Sequence, residues 1–198
     1  EAGILAECHE GLALLPMAER TPMVIQSNLC RVLDDPVVRT ERDGITEQHP
    51  CVLTLLALDE GVEEETPGEA LLDRLAISTD LENVSLAATN DFLLTRADIE
   101  AAQALLPEVR IADARLTSLC NAAWMLGVES PRVWIHAART ARVLAAIAGQ
   151  RDVDESQLEQ SLRLVLLPRA TRLPATDEAK DQPEQAEPPP APPIQADE

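Results

Sequence analysis

What most constrains this chain is a change of pattern near residue 90: short apolar runs alternate with helical periodicity before it, whereas four helix-length segments follow one another after it. In the first part, residues 51–58 (CVLTLLAL) form a near-continuous apolar run of strand length, the pattern of a strand covered on both faces. Residues 4–6 read as a second, shorter buried strand. Thr21-Pro22 supplies an N-cap followed by proline at the first helical position, so a helix is expected from there to about Leu33, stopped by Asp34-Asp35-Pro36. Residues 37–40 and 45–48 flank Glu41-Arg42-Asp43-Gly44, whose Asp-Gly pair predicts a hairpin. Thr66-Pro67-Gly68-Glu69 has capping-box spacing and opens a short helix over 69–74, after which 75–81 alternates as a further strand would.

Past Asn90-Asp91 the signals are those of helix ends. Thr95-Arg96-Ala97-Asp98 opens a helix ending near Pro107, and Asp113 caps a second running to Gly127. Ser130-Pro131 starts a third over 132–148, closed by Gly149, and Asp154 caps a fourth ending near Pro168. Four helices with short connections predict a bundle. From Pro174 onward Pro, Glu, Asp, Gln and Ala dominate, a composition that cannot offset the entropy of ordering, so an extended disordered spacer is expected. The expected organisation is an α/β part over 1–90, an all-α part over 91–172 and an acidic proline-rich linker over 173–198. The chain opens without methionine, in strand-like sequence, as an interior piece of a longer protein would.

The core must be built almost entirely from Leu, Ala, Val and Ile, because the only aromatics are Phe92, Trp124 and Trp134. Helix packing tolerates that better than a β-sandwich does. The net charge of −19 is uneven: 19 acids face five arginines before residue 96. Ten arginines face nine acids over 96–172, and seven acids face Lys180 beyond. Such a surface repels a phosphate backbone and anionic lipid, which argues against nucleic acid and membrane partners. No apolar run reaches the roughly 18–20 residues of a membrane helix. The four cysteines, Cys8, Cys30, Cys51 and Cys120, show no close pairing and read as reduced thiols of a cytoplasmic protein. His9, His49 and His136 lie far apart without zinc-ligand spacing, so no metal site is expected at Cys8-His9-Glu10. The acids at 63–65 read as a solvated loop. Arg132, Arg139 and Arg142 fall near one face of a helix, a solvated stripe or a docking face for an acidic neighbour.

Three segments, taken in order, resemble the AAA+ modules of the chelatase branch, and among them the D subunits of magnesium chelatase. Glu41-Arg42-Asp43-Gly44, followed by His49-Pro50 and an apolar strand, is similar to that family's β-hairpin before the sensor-1 strand. Leu71-Leu72-Asp73-Arg74-Leu75 is similar to the Leu-Leu-Asp-Arg-Phe segment that carries its arginine finger, and Ser130-Pro131-Arg132 to its sensor-2 position. The resemblance implies a partial AAA+ core lacking the P-loop half, a helical lid and the linker. It implies Arg74 as an arginine finger acting in trans and Arg132 as sensor 2. Asp59 stands at the sensor-1 position, where active members carry a polar Asn. With 4–6 as a strand, Cys8 and His9 fall where hydrolysing members carry the Asp-Glu pair that holds Mg²⁺ and polarises water. The nucleotide site is therefore expected to be degenerate. No Gly-x-x-x-x-Gly-Lys-Ser/Thr loop occurs in the sequence; in this fold it lies upstream of residue 1.

The function this implies is a non-hydrolysing platform in a self-assembled hexameric ring. It would work with the ATP-hydrolysing I subunit and the porphyrin-binding H subunit, with ATP and Mg²⁺ acting at the level of the complex. That complex inserts Mg²⁺ into protoporphyrin IX for chlorophyll or bacteriochlorophyll, and the wealth of Ala and Arg over Lys favours the latter. The rival readings are an active MoxR-like or cobalt-chelatase ATPase and a non-enzymatic docking adaptor.

Overall fold

The structure, a computed structural model, describes residues 3–42, 44–62, 64–81, 84 and 94–172; the linker expected over 173–198 lies outside the described residues. In the first part, the strand expected at 4–6 is a short helix, α1 (Ile4–Glu7), and the first strand is β1 (Gly11–Leu15). Pairing decides between the two apolar runs. β1 lies parallel to β4 (Leu53–Ala57), in register from Gly11 opposite Leu53 to Leu15 opposite Ala57. The earlier run instead winds onto itself, the Gly3 carbonyl accepting from the N–H groups of Ala6 and Glu7. Leu5, His9 and Glu10 then staple the base of β1 to the start of β4. Val52 N–H donates to His9 Nδ1 at 3.1 Å, Glu10 N–H to the Val52 carbonyl at 2.6 Å, and the Cys51 thiol to the Leu5 carbonyl at 2.7 Å.

Helix α2 (Met23–Asp34) connects β1 to a hairpin of β2 (Val37–Arg42) and β3 (Ile45–Pro50), which pair from Val37–Pro50 to Arg42–Ile45 as the Asp-Gly signal predicts. β4 is not covered on both faces. Leu15 and Leu55 pack inward against Leu29, Cys30 and Leu71, while Leu12, Leu14 and Leu56 face outward and are 62%, 57% and 48% exposed. Helix α3 (Glu69–Leu72) supplies the fully buried Leu71. The capping box expected at Thr66 does not form. The α3 N-cap is Gly68, whose N–H donates to Gln26 Oε1 at 3.0 Å, and Gln26 Nε2 donates to the Thr21 carbonyl at 2.8 Å. The buried Gln26 thus ties the starts of α2 and α3 together, and any Cβ at residue 68 would sit 2.7 Å from its Oε1. Residues 75–81 form no strand: no strand edge among the described residues pairs with them, and Ser78 N–H points to the Leu164 carbonyl at 3.5 Å.

The second part is helical as expected. α4 (Arg96–Leu105) starts with a complete capping box between Thr95 and Asp98. α5 (Asp113–Met125) is capped by Ala112 rather than by Asp113, and α6 (Pro131–Ile147) follows Ser130. Gly149 then takes the left-handed conformation (φ +71°) that closes α6 at no steric cost. α7 (Glu155–Ser161) has a second capping box, between Asp154 and Gln157, and continues into a π turn (Leu162–Leu166) and a 3-10 turn (Leu167–Arg169). The core reflects the poverty in aromatics. Ala137, Ala141 and Ala145, spaced by one turn on α6 and fully buried, let α4, α5 and α7 approach closely. Around them pack Leu119, Val133, Leu158 and Val165 at one end and Val109 and Val153 at the other. Trp134 leans on the first group and donates its indole N–H to the Val128 carbonyl at 2.7 Å.

Candidate functional site

Asp34, the last residue of α2, brings Arg74 and Arg132 together. Arg74 leaves the turn after α3 and donates from both Nε and Nη2 to Asp34 Oδ2, at 3.0 and 2.5 Å, while its Nη1 donates to the Ala70 carbonyl at 2.7 Å. Arg132, in the first turn of α6, donates from Nη1 to the other oxygen of Asp34 at 2.7 Å and pairs through Nε with Asp73 Oδ2 at 3.0 Å. The Ser130 hydroxyl, at the α6 N-cap, donates to Asp73 Oδ1. The two arginines, 58 positions apart in sequence, therefore meet where the helical part docks on the α/β part. Asp73 and Asp80 are the neighbours from which sequence reasoning would draw a salt-bridge partner for Arg74; the carboxylate that binds it is Asp34. Arg74's hydrogen bond to Asp34, assisted by Arg132, holds the Asp34 carboxyl below its ordinary range despite partial burial, and the same contact raises the Arg74 guanidinium.

Beside this clamp, Leu33, Arg74, Arg132, Ile135, His136 and Arg139 line a cavity of about 390 Å³. His136 Nε2 is buried there without a hydrogen-bond partner, and burial, together with Arg139, Arg169 and Arg132, lowers its pKa. Arg142 does not join Arg132 and Arg139 on a common docking face. Its Nε donates to the Val109 carbonyl at 3.0 Å and its Nη2 to the Leu106 carbonyl at 3.2 Å, which fastens α6 to the end of α4.

The other predicted residues lie elsewhere. Cys8 and His9 precede β1, at the opposite end of the strand from the one the Asp-Glu reading requires, so that register does not hold. The residues that follow β1 are Pro16 and Met17, the latter with φ +47°. Alongside, β4 ends at Ala57 and leads to Leu58-Asp59-Glu60. Asp59 Oδ1 accepts from Gly61 N–H at 3.0 Å, and the enclosed Glu19 carboxylate accepts from Glu60 N–H at 3.1 Å. Burial opposes charge on Glu19, but the Glu60 amide, Glu19's own amide and then Arg20 outweigh it and keep its pKa low. The strand ends thus gather carboxylates. They lie at the N-terminal end of α2 and the arginine clamp at its C-terminal end, about 17 Å along the helix at 1.5 Å per residue. Among the described residues, no group of three or more His, Cys, Asp or Glu side chains is placed to hold a metal ion, and no helix is long and apolar enough to cross a membrane.

The family model of the AAA lid domain matches residues 116–190. The chain is 31% identical to the magnesium-chelatase 67 kDa subunit of Chlorobaculum tepidum, over 95% of this chain and 33% of that protein. It is 32% identical to the magnesium-chelatase 60 kDa subunit of Rhodobacter capsulatus, over 81% of this chain and 26% of that protein. The 38 kDa subunit of Chlorobaculum parvum is 26% identical over 88% of this chain and 57% of its own length. The chain therefore spans about a third of the 67 kDa relatives it matches. Among solved structures, a putative ATPase from Cytophaga hutchinsonii superposes with a TM-score of 0.55 at 17% identity, covering 78% of this chain and 57% of that one, a likeness of fold.

Proposed function

The chain belongs to the chelatase family of AAA+ proteins, beside the 60 and 67 kDa magnesium-chelatase subunits, and from that premise we propose that it is the platform part of a D-type subunit that lends arginines to a neighbour's nucleotide without hydrolysing one itself. The observation that carries this reading is the separation between the strand ends and the arginines. In this fold a nucleotide's terminal phosphate and its Mg²⁺ sit at the strand ends and require an acid pair there. Here β1 runs into Pro16-Met17, and the residues around it, Glu19, Asp59 and Glu60, are carboxylates without a metal-binding arrangement. A triphosphate meets repulsion there, so the residues present do not fit it. Arg74 and Arg132 stand about a helix length from those strand ends, beside the cavity, which supports a role toward a neighbour's nucleotide rather than the chain's own.

In this role Arg74 acts in trans, its planar fork spreading the charge that develops on a neighbour's γ-phosphate. Arg132 approaches the same anion from the lid, and both leave Asp34 to do so. The neighbour is an ATP-hydrolysing chelatase subunit, in a ring within the cytoplasm. The assembled complex, with a porphyrin-binding subunit, inserts Mg²⁺ into protoporphyrin IX in the bacteriochlorophyll or chlorophyll pathway.

The test measures complex formation and Mg²⁺ insertion side by side for Arg74→Ala and Arg74→Lys in the full-length subunit. Assembly stays intact, and insertion falls by at least about tenfold with Ala, essential fingers contributing about 10³–10⁵. Lys rescues poorly, because an ammonium lacks the guanidinium fork. Wild-type insertion by the Ala variant refutes the finger role.

A further inference from the structure

The turn that presents Arg74 is held by the far end of the helical part. Past α3 the Leu75 and Ala76 carbonyls have no backbone N–H partner among the described residues, and the Leu72 carbonyl has the Leu75 N–H at 3.2 Å. Arg169, at the close of the 3-10 turn Leu167–Arg169, reaches across nearly a hundred positions of sequence to cap them. Its Nη2 donates to the Leu75 carbonyl at 2.5 Å and to the Leu72 carbonyl at 3.3 Å. Its Nη1 donates to the Val165 carbonyl at 2.7 Å on the preceding π turn and to the Ala76 carbonyl at 3.4 Å. One guanidinium thus spans three carbonyls of the finger turn and one of the lid, and its charge sits at the negative end of α3. Arg169 is half-buried, and no ion pair with a carboxylate accompanies these bonds among the described residues. Burial accordingly lowers its pKa, with Asp73 working the other way.

We infer that Arg169 is a positioning residue for Arg74: it sets the finger turn from the lid, so that the orientation of Arg74 follows the placement of the last lid helix. The geometry suits that role better than simple stabilisation. Arg142 also bonds main-chain carbonyls, but those of Leu106 and Val109, which flank neither Arg74 nor Arg132. Arg169 instead spends its donors on main-chain carbonyls on both sides of Arg74, which fixes the backbone from which the side chain leaves. Asp73, beside Arg74, is held from the other side by Ser130 and Arg132. The turn therefore has two lid attachments, one on a side chain and one on the backbone.

The inference rests on the finger reading of Arg74, and the test separates the two. In the full-length subunit, Arg169→Ala is compared with wild type, Arg74→Ala and the double variant, by Mg²⁺ insertion in the assembled complex and by hydrogen exchange. Misplacement of a reacting group by about 1 Å costs up to about a hundredfold, so Arg169→Ala is expected to lower insertion by about ten- to a hundredfold. The same change in the Arg74→Ala background is expected to cost less than about twofold, because a residue that acts through Arg74 has nothing left to act on. Exchange should rise in a peptide covering 69–78 and remain unchanged over 113–147. Equal losses in both backgrounds, unchanged exchange at 69–78, or a rise throughout 113–147 overturns the inference. Wild-type insertion by Arg74→Ala overturns the finger reading and with it the positioning role, and the exchange result then shows whether the clasp itself exists.

Discussion

Replacing Asp34 with Asn probes the arginine clamp with almost no change of shape. The amide can still accept from one guanidinium, but its NH₂ group then faces the other, and the charge that holds both is gone. Arg74 is 19% exposed, Asp34 35% and Arg132 40%. Charge-assisted bonds contribute about 1.5–3 kcal/mol where they are shielded, and exposed ion pairs about 0–1. The Arg74 pair, the better shielded, is therefore assigned about 1.5 kcal/mol after discounting for solvent, the Arg132 pair about 0.5, and the substitution about 2 in total. At about 2–4 °C per kcal/mol for a domain of this size, the melting temperature drops by about 4–8 °C. Urea titration followed by tryptophan fluorescence should show a lower midpoint at an unchanged slope. The pH dependence has a definite sign. The folded pKa of Asp34 is lowered by Arg74, so its contribution is complete above the unfolded carboxylate value of about 3.9 and disappears as pH falls through the lower folded value. The gap between variant and wild type should narrow below about pH 4. A midpoint shift worth less than about 0.5 kcal/mol, or an equal loss when Arg74 and Arg132 are already Gln, would refute the clamp.

Two further outcomes follow from the lid. Arg142→Ala removes two bonds from a charged donor to the Val109 and Leu106 carbonyls and is expected to cost about 2 kcal/mol in urea while leaving assembly intact; loss of assembly at unchanged stability would restore Arg142 as a docking residue. His136 is held neutral by burial and three arginines, so the unfolded chain binds a proton below about pH 6.5 that the folded chain refuses, and stability falls as pH drops from there toward the folded pKa. His136→Gln should flatten that slope below about pH 6.5 in thermal melts; an unchanged slope would place the titration elsewhere.

The parts of the fold that were legible in the sequence are those settled within a few residues. The helix starts at Thr95 and Asp154, the Asp-Gly hairpin and the glycine closing α6 are local chemistry, and each stands where the sequence places it. The misreadings arise where a distant partner decides. Residues 4–6 and 11–15 are equally apolar, and only the register with β4 makes the second a strand. Thr66 has the right spacing for a cap, but Gln26, forty positions away, satisfies the α3 N-terminus. Asp34 looks like part of a helix stop and is also the centre of the clamp, a role visible only once Arg74 and Arg132 have been brought to it. Arg74 and Arg132 could be named because they sit in motifs that resemble known ones. Arg169 sits in none, and a basic residue after Pro168 carries no signal of the carbonyls it reaches.

The π turn at Leu162–Leu166 bears on how such lids can be compared. A π turn is a helix that has taken in one residue without lengthening its register, so everything after it is rotated by about 100° relative to an uninterrupted α-helix. Arg169 begins only three residues beyond, and its direction toward α3 depends on that phase. A homologous lid that is one residue shorter between 162 and 166 would align almost perfectly along its helices yet aim its terminal arginine away from the finger turn. In this stretch a single gap in an alignment carries more information than any substitution, because it distinguishes lids that can grip α3 from lids that only cover it.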